Sequence, residues 1–120
     1  MSLQDELGRI RASVEETLGV FLVGSDGVIA AASADPGPLV WDLLAASYMD
    51  LMARIGSANL ELELDPPTEL FIGTPGTMLV LRRINPDYQL LAVLANEAHL
   101  GAVRFEMRKA ADRIQADLQS

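Results

Sequence analysis

The sequence predicts an α/β chain of the α+β type, with elements in the order α-β-β-α-(β)-β-β-β-α. Three observations carry that prediction. Apolar residues recur at helical spacing near both ends of the chain. A long apolar stretch with the same period lies between them. Elsewhere, short runs of strand formers are separated by tight-turn signals.

Leu3, Leu7, Ile10, Val14 and Leu18 fall on one helical face, with Asp5, Glu6, Arg9 and Glu15 off it, and Gly19 marks the latest end of this helix. Val20–Val23 then form an apolar run, Ser25-Asp26-Gly27 reads as a turn, and Val28 resumes an extended pattern. Together they predict a hairpin pairing Gly19–Gly24 with Val28–Ser33. Pro38 suits the first turn of a second helix, LVWDLLAASYMDLMARI, which Gly56 is expected to cap. In the following stretch Leu60, Leu62 and Leu64 alternate with Glu61, Glu63 and Asp65. That period of two predicts either a strand or an extended connector, ended by Pro66-Pro67.

Two more hairpin signals follow. Gly73-Thr74-Pro75-Gly76 separates Glu69–Ile72 from Thr77–Ile84, and Asn85-Pro86-Asp87 precedes a central strand, Tyr88–Leu94. GTPGT lacks the GK[ST] ending of a phosphate loop and opens no helix, so it reads as a turn. The last helix has Leu100, Val103, Met107, Ala110, Ala111, Ile114 and Leu118 on one face, with Asn96 as its expected N-cap. His99, the sole histidine, has Glu97 beside it and reads as a first-turn residue rather than a catalytic base. Arg104, Arg108, Lys109 and Arg113 lie off the apolar face and are expected to meet water or nearby carboxylates in weak pairs. Gly101 costs helix propensity, and close approach of a strand is the expected reason.

The middle helix carries the strongest hint of function. Val40, Leu51, Leu44, Ile55, Tyr48, Trp41 and Met52 form one continuous arc, extended by Ala45 and Met49. The arc is wider than one core-facing stripe needs. It predicts burial on two sides, against a sheet and against another molecule. Aromatic residues and methionine are enriched at such interfaces.

Composition narrows the classes of function. The 120 residues suit one domain, 1–120, and half of them are hydrophobic, enough for a core with apolar surface to spare. There is no cysteine, which excludes disulfides, thiolate metal sites and cysteine nucleophiles. With one histidine, a His-rich metal site is excluded too, and no cofactor or catalytic residue is expected. The formal charge of −8 argues against a nucleic-acid or acidic-membrane partner and favours protein partners. No signal peptide or membrane-spanning run is recognised, so a cytoplasmic protein with no membrane insertion is expected.

The order of elements, with GVFLVGSDGVIAAAS, PLVWDLLAASYMDLMARIG and LLAVLANEAHLGAVRFEMRKAADRI in that sequence, resembles the roadblock/dynein light chain domain family, and its bacterial MglB-like members in particular. The resemblance covers nearly the whole chain. One departure lies between Gly56 and Glu69, where LELELDPPTE is longer than the family's usual connection. The resemblance implies a five-stranded antiparallel sheet, with the first and last helices on one face and the middle helix on the other. It also implies a homodimer, or a heterodimer with a related chain, in which middle helices pack together and third strands pair edge to edge.

For this chain those expectations fall on Trp41, Leu44, Ala45, Tyr48, Leu51 and Met52 of the helix and on Glu69, Phe71 and Ile72 of the strand. In function, the resemblance implies a dimeric regulator or scaffold for a small Ras-like GTPase, able to stimulate hydrolysis without catalytic residues of its own. The alternatives are a small-molecule sensor of profilin-like or PAS-like type, and a signalling scaffold without GTPase activation. An enzyme is not expected.

Overall fold

The computed structural model describes residues 2–37, 40–95 and 99–119. Eight elements follow in order: α1 (Leu3–Ser13), β1 (Thr17–Gly24), β2 (Ile29–Ala34), α2 (Trp41–Glu61), β3 (Glu69–Gly73), β4 (Met78–Asn85), β5 (Tyr88–Leu94) and α3 (Leu100–Gln119). The strands form one antiparallel sheet in the order β2-β1-β5-β4-β3. This is the α+β architecture expected from the sequence.

The layers follow from strand alternation. Val20 and Leu22 of β1, Met78 and Val80 of β4, and Leu90, Ala92 and Leu94 of β5 join Leu7, Ile10, Val103, Met107 and Ile114 in one core. Phe21, Val23, Leu79, Leu81, Leu91 and Val93 point the other way, where Ala45 and Met49 of α2 cover them. Thus α1 and α3 lie on one face and α2 on the other. Each fully buried Leu, Val or Phe contributes about 1.5–3 kcal/mol. The turns use local side chains: Asp26 Oδ1 accepts from the Val28 N–H at 3.0 Å, and Asn85 Oδ1 accepts from Asp87 and Tyr88 at 2.8 and 2.9 Å. Gly27, at φ +83°, also lets α2 pass close, for a Cβ there would lie 3.2 Å from Ala46 Cα.

Several expectations are corrected. The first helix stops at Ser13, well before Gly19, and the chain is already a strand at Thr17. Glu16 makes the reversal at φ 68°, and its carbonyl accepts from Ala95 N at 2.8 Å. Val14 and Leu18 still serve the two cores, but from the turn and the strand, so the stripe overran the helix. Gly56 does not end α2, which continues to Glu61. A mid-helix glycine costs about 1 kcal/mol relative to alanine, too little to stop a packed helix. The true end is a Schellman motif: Glu63 N donates to Leu60 O at 3.1 Å, and Leu64 N to Asn59 O at 2.8 Å. Glu63 occupies the left-handed position at φ 60° that usually takes glycine. Leu60–Asp65 is therefore no strand. Its alternation straddles a helix end, and Leu60, Leu62 and Leu64 are all exposed.

In α3, Asn96 and Glu97 lie outside the described residues. His99 directly precedes the helix, and its carbonyl accepts the Val103 N–H at 3.0 Å. Gly101 is exposed, and a Cβ there would meet nothing within 4 Å, so no strand approaches it. Arg113 is more than a weak surface pair. Its Nη2 and Nε lie 2.9 and 3.0 Å from Oε1 of Glu6, whose side chain is 3% exposed. That bond, working against desolvation, raises the Arg113 pKa further and fastens α3 to α1. Replacing Arg113 by Met strands a buried carboxylate and is expected to cost about 2–3 kcal/mol in urea unfolding. Glu63→Gly relieves the left-handed strain and is expected to add about 0.5–1 kcal/mol, read as a raised urea midpoint.

Candidate interaction surface

Geometry leaves one face of the sheet under-covered. Five strands about 4.8 Å apart place their outer axes roughly 19 Å apart. Helices about 10 Å wide cover that distance when paired, as α1 and α3 are, but not singly. Among the described residues α2 is alone on its face, and its seat is displaced to one side, for Ala46 rests on the β1–β2 turn at Gly27. At 100° per residue, the flank carrying Leu44, Leu51 and Ile55 is roughly 140–180° around the helix from Ala46 and faces β3. There Leu70 and Ile72 are only partly buried.

The structure divides the broad apolar arc of α2. Its aromatic and methionine edge lies against the sheet. The Trp41 ring sits 4.9 Å from Phe21, and its indole N–H donates to the Asp35 carbonyl at 3.2 Å. Tyr48 packs on the same core, while Ala45 and Met52 are buried at 0% and 3% exposure. The aliphatic edge looks outward: Val40 and Leu51 are 64% and 38% exposed, Leu44 is half-buried between the edges, and Leu43, beside this edge on the outer side of the helix, is 65% exposed. Leu43 was not singled out in the sequence because it stands off the main arc. Only the seating of α2 shows that its side is open.

β3 forms the sheet edge beside this flank. Thr68 O accepts from Arg83 N at 2.9 Å, and Thr74 N donates to Thr77 O at 2.8 Å. With Leu70 opposite Leu81 and Ile72 opposite Leu79, the even-numbered residues bond to β4. Glu69, Phe71 and Gly73 then present their backbone N–H and C=O groups outward. The five residues include no proline, lysine or bulge that would blunt the edge. At the opposite edge, by contrast, Gln4 Nε2 donates to the Ala32 carbonyl and covers part of β2.

Side chains on the far face of β3 hold that edge rigid. Glu69 is bonded by Arg82 Nη1 at 2.9 Å, Arg104 Nη2 at 2.8 Å and Arg108 Nε at 3.1 Å. Arg104 also lies 4.7 Å over the Phe71 ring. Burial is the largest single influence on Glu69 and opposes its ionisation. The hydrogen bonds and charges of Arg104 and Arg108 together outweigh it and hold the carboxyl below its ordinary value. So Glu69 and Phe71 contribute their backbones to the open edge, while their side chains tie β3 to β4 and α3.

A carboxyl whose folded pKa is depressed stabilises the fold above its unfolded pKa, and loses that contribution as pH falls through the folded value. Wild-type stability should therefore fall on acidification below the ordinary value of 4.5 through this group. Glu69→Gln should lower neutral-pH stability by about 1–2 kcal/mol and flatten that part of the acid limb, measured by urea unfolding at stepped pH.

No protein-family model and no curated protein matches the sequence. Solved structures do match. The Roadblock/LC7 domain from Streptomyces avermitilis superposes with a TM-score of 0.88 at 17% identity, covering 100% of both chains. Myxococcus xanthus MglB gives 0.84 at 16% identity, over 99% of this chain and 98% of that one. Acanthamoeba castellanii profilin IA gives 0.68 at 14% identity, over 97% and 98%. What these similarities establish is the architecture: the chain has the roadblock fold, a five-stranded antiparallel sheet between α1 with α3 and a lone α2.

Proposed function

We infer that the chain is a dimeric regulator or scaffold acting on a small Ras-like GTPase. The observation that carries this reading is the exposed aliphatic flank of α2 beside the unblunted β3 edge. A second copy, or a related chain, placing its own α2 and β3 there would finish covering the sheet face. It would also pair the outward backbone groups of Glu69, Phe71 and Gly73. A stable interface of this kind buries roughly 1,200–2,000 Å² in total.

The GTPase part rests on the resemblance to roadblock proteins and on the fold shared with MglB. The physical logic is differential binding. A rigid platform that fits one arrangement of a partner's switch loops shifts the partner's population toward it. If that arrangement is the hydrolytic one, the rate rises with no residue supplied to the chemistry. A charge of −8 suits a partner with a basic face, and among the described residues no helix is long and apolar enough to cross a membrane.

Leu43→Glu combined with Leu51→Glu tests the interface, because both side chains are outward and the fold does not need them. The expected result is a folded chain of half the wild-type mass by light scattering. A double variant that keeps the wild-type mass overturns the assignment. For the partner, wild-type protein is added to candidate small GTPases loaded with GTP or GDP. Nucleotide-dependent binding, weakened in the double variant, is expected, and equal indifference to both loaded forms counts against the reading.

A further inference from the structure

We propose that the cavity beneath Gly56 of α2 binds a small carboxylate with a hydrogen-bond donor beside its carboxyl group, a 2-hydroxy or 2-amino acid. The cavity has a volume of about 170 Å³ and lies between the second half of α2 and the sheet. Met52 and Gly56 form its roof, Pro67 and Pro86 its rim, and Arg83 and Gln89 its floor. A cavity of about 150 Å³ holds a benzene-sized molecule, so this one suits roughly six to eight non-hydrogen atoms.

Two polar groups on the floor lack partners. Arg83 and Gln89 are direct cross-strand neighbours on β4 and β5, which brings their Cβ atoms within about 5 Å. They follow the alternation of Leu81 and Leu91 and so share the α2 face. Gln89 Oε1 is buried and accepts no hydrogen bond. Leaving such an acceptor unmet costs roughly 1–3 kcal/mol, and among the described residues it shares this condition with Arg82 Nε, which does not line the cavity. The Arg83 guanidinium has no ion pair or hydrogen bond among the described residues, unlike its neighbours Arg82, Arg104 and Arg108. Arg83 is half-buried and its side-chain nitrogens are not among the buried unpartnered atoms, so the guanidinium is open to a ligand rather than stranded.

One ligand class answers both. A carboxylate meets the guanidinium fork bidentately. A hydroxyl or ammonium on the next carbon donates to Gln89 Oε1. A short apolar remainder lies against Met52 and the prolines. The class fits the usual pocket pattern of apolar walls with a few convergent polar groups.

Gly56 supports the same assignment. It lies mid-helix, where glycine is costly, and it lines the cavity roof, yet a Cβ built on it would meet nothing within 4 Å. Neither a turn nor tight packing accounts for it. What its missing side chain does is leave the cavity open. Because the roof belongs to α2, an occupant would brace the helix that carries the outward leucines. The assignment does not depend on the chain being a dimer.

The test is an amide NMR titration of the whole chain with sodium lactate and with alanine. Lactamide and sodium chloride at matched ionic strength serve as controls. Saturable shifts centred on Gly56, Arg83 and Gln89 are expected with lactate, with alanine or with both, and the two arms separate hydroxy from amino acids. Arg83→Gln should weaken the response by about tenfold or more. Gly56→Ala and Gly56→Leu both restore helix propensity, and the leucine side chain fills the roof. Both should keep or raise the melting temperature, and Gly56→Leu should lose the shifts. The proposal is overturned by the absence of a saturable response to either acid, by equal responses to chloride or lactamide, or by shifts that persist in both Arg83→Gln and Gly56→Leu.

Discussion

The structure depends on a sheet whose central strands are apolar on both faces. β1, β4 and β5 alternate between two cores, with Val20, Val80 and Leu90 toward one and Phe21, Leu81 and Leu91 toward the other. Water must be kept from both sides, so helices are required on both. Two helices manage this on one face. On the other, α2 alone is too narrow for five strands. The uncovered remainder is therefore a consequence of the architecture rather than an incidental patch of exposed leucines.

Electrostatics fix the pieces that this burial leaves loose. Glu6–Arg113 joins the first and last helices across their shared core, with the carboxylate almost wholly removed from water. Glu69 collects three arginines and pins the short edge strand to β4 and α3. An edge strand held this firmly loses little further entropy when it pairs, which favours association at β3. The same sheet also carries Arg83, whose guanidinium has no ion pair or hydrogen bond among the described residues, on the face that α2 covers. The contrast between neighbours on one strand is what separates a structural arginine from one available to a ligand.

Much of the fold was legible because it rests on local periodicity and turn chemistry. The β3, β4 and β5 boundaries came within a residue of those observed, since Thr74-Pro75-Gly76 and Asn85-Pro86-Asp87 leave the chain few options. Helix ends were harder to read. Val14 and Leu18 continue a helical spacing beyond Ser13 because the turn and strand that follow return them to the cores. At Gly56 the local penalty is too cheap to stop the helix, while the true cap lies at Glu63, a residue type that does not announce a left-handed turn.

The sequence by itself determined that α2 has an apolar arc too broad for one contact, and that the chain alternates elements in the roadblock order. It could not say which edge of that arc the sheet would take. Trp41 and Met52 have the composition of an interface, yet Met52 is buried within the chain and Trp41 is half-buried against Phe21, while Leu43 and Leu51 are left outside. The choice is made by how α2 sits on Gly27 and Phe21, a contact between distant parts of the chain. Tertiary structure alone also brought Arg83, Gln89 and Gly56 around one cavity. Their spacing carries no motif, because they meet across strands and between layers rather than along the chain.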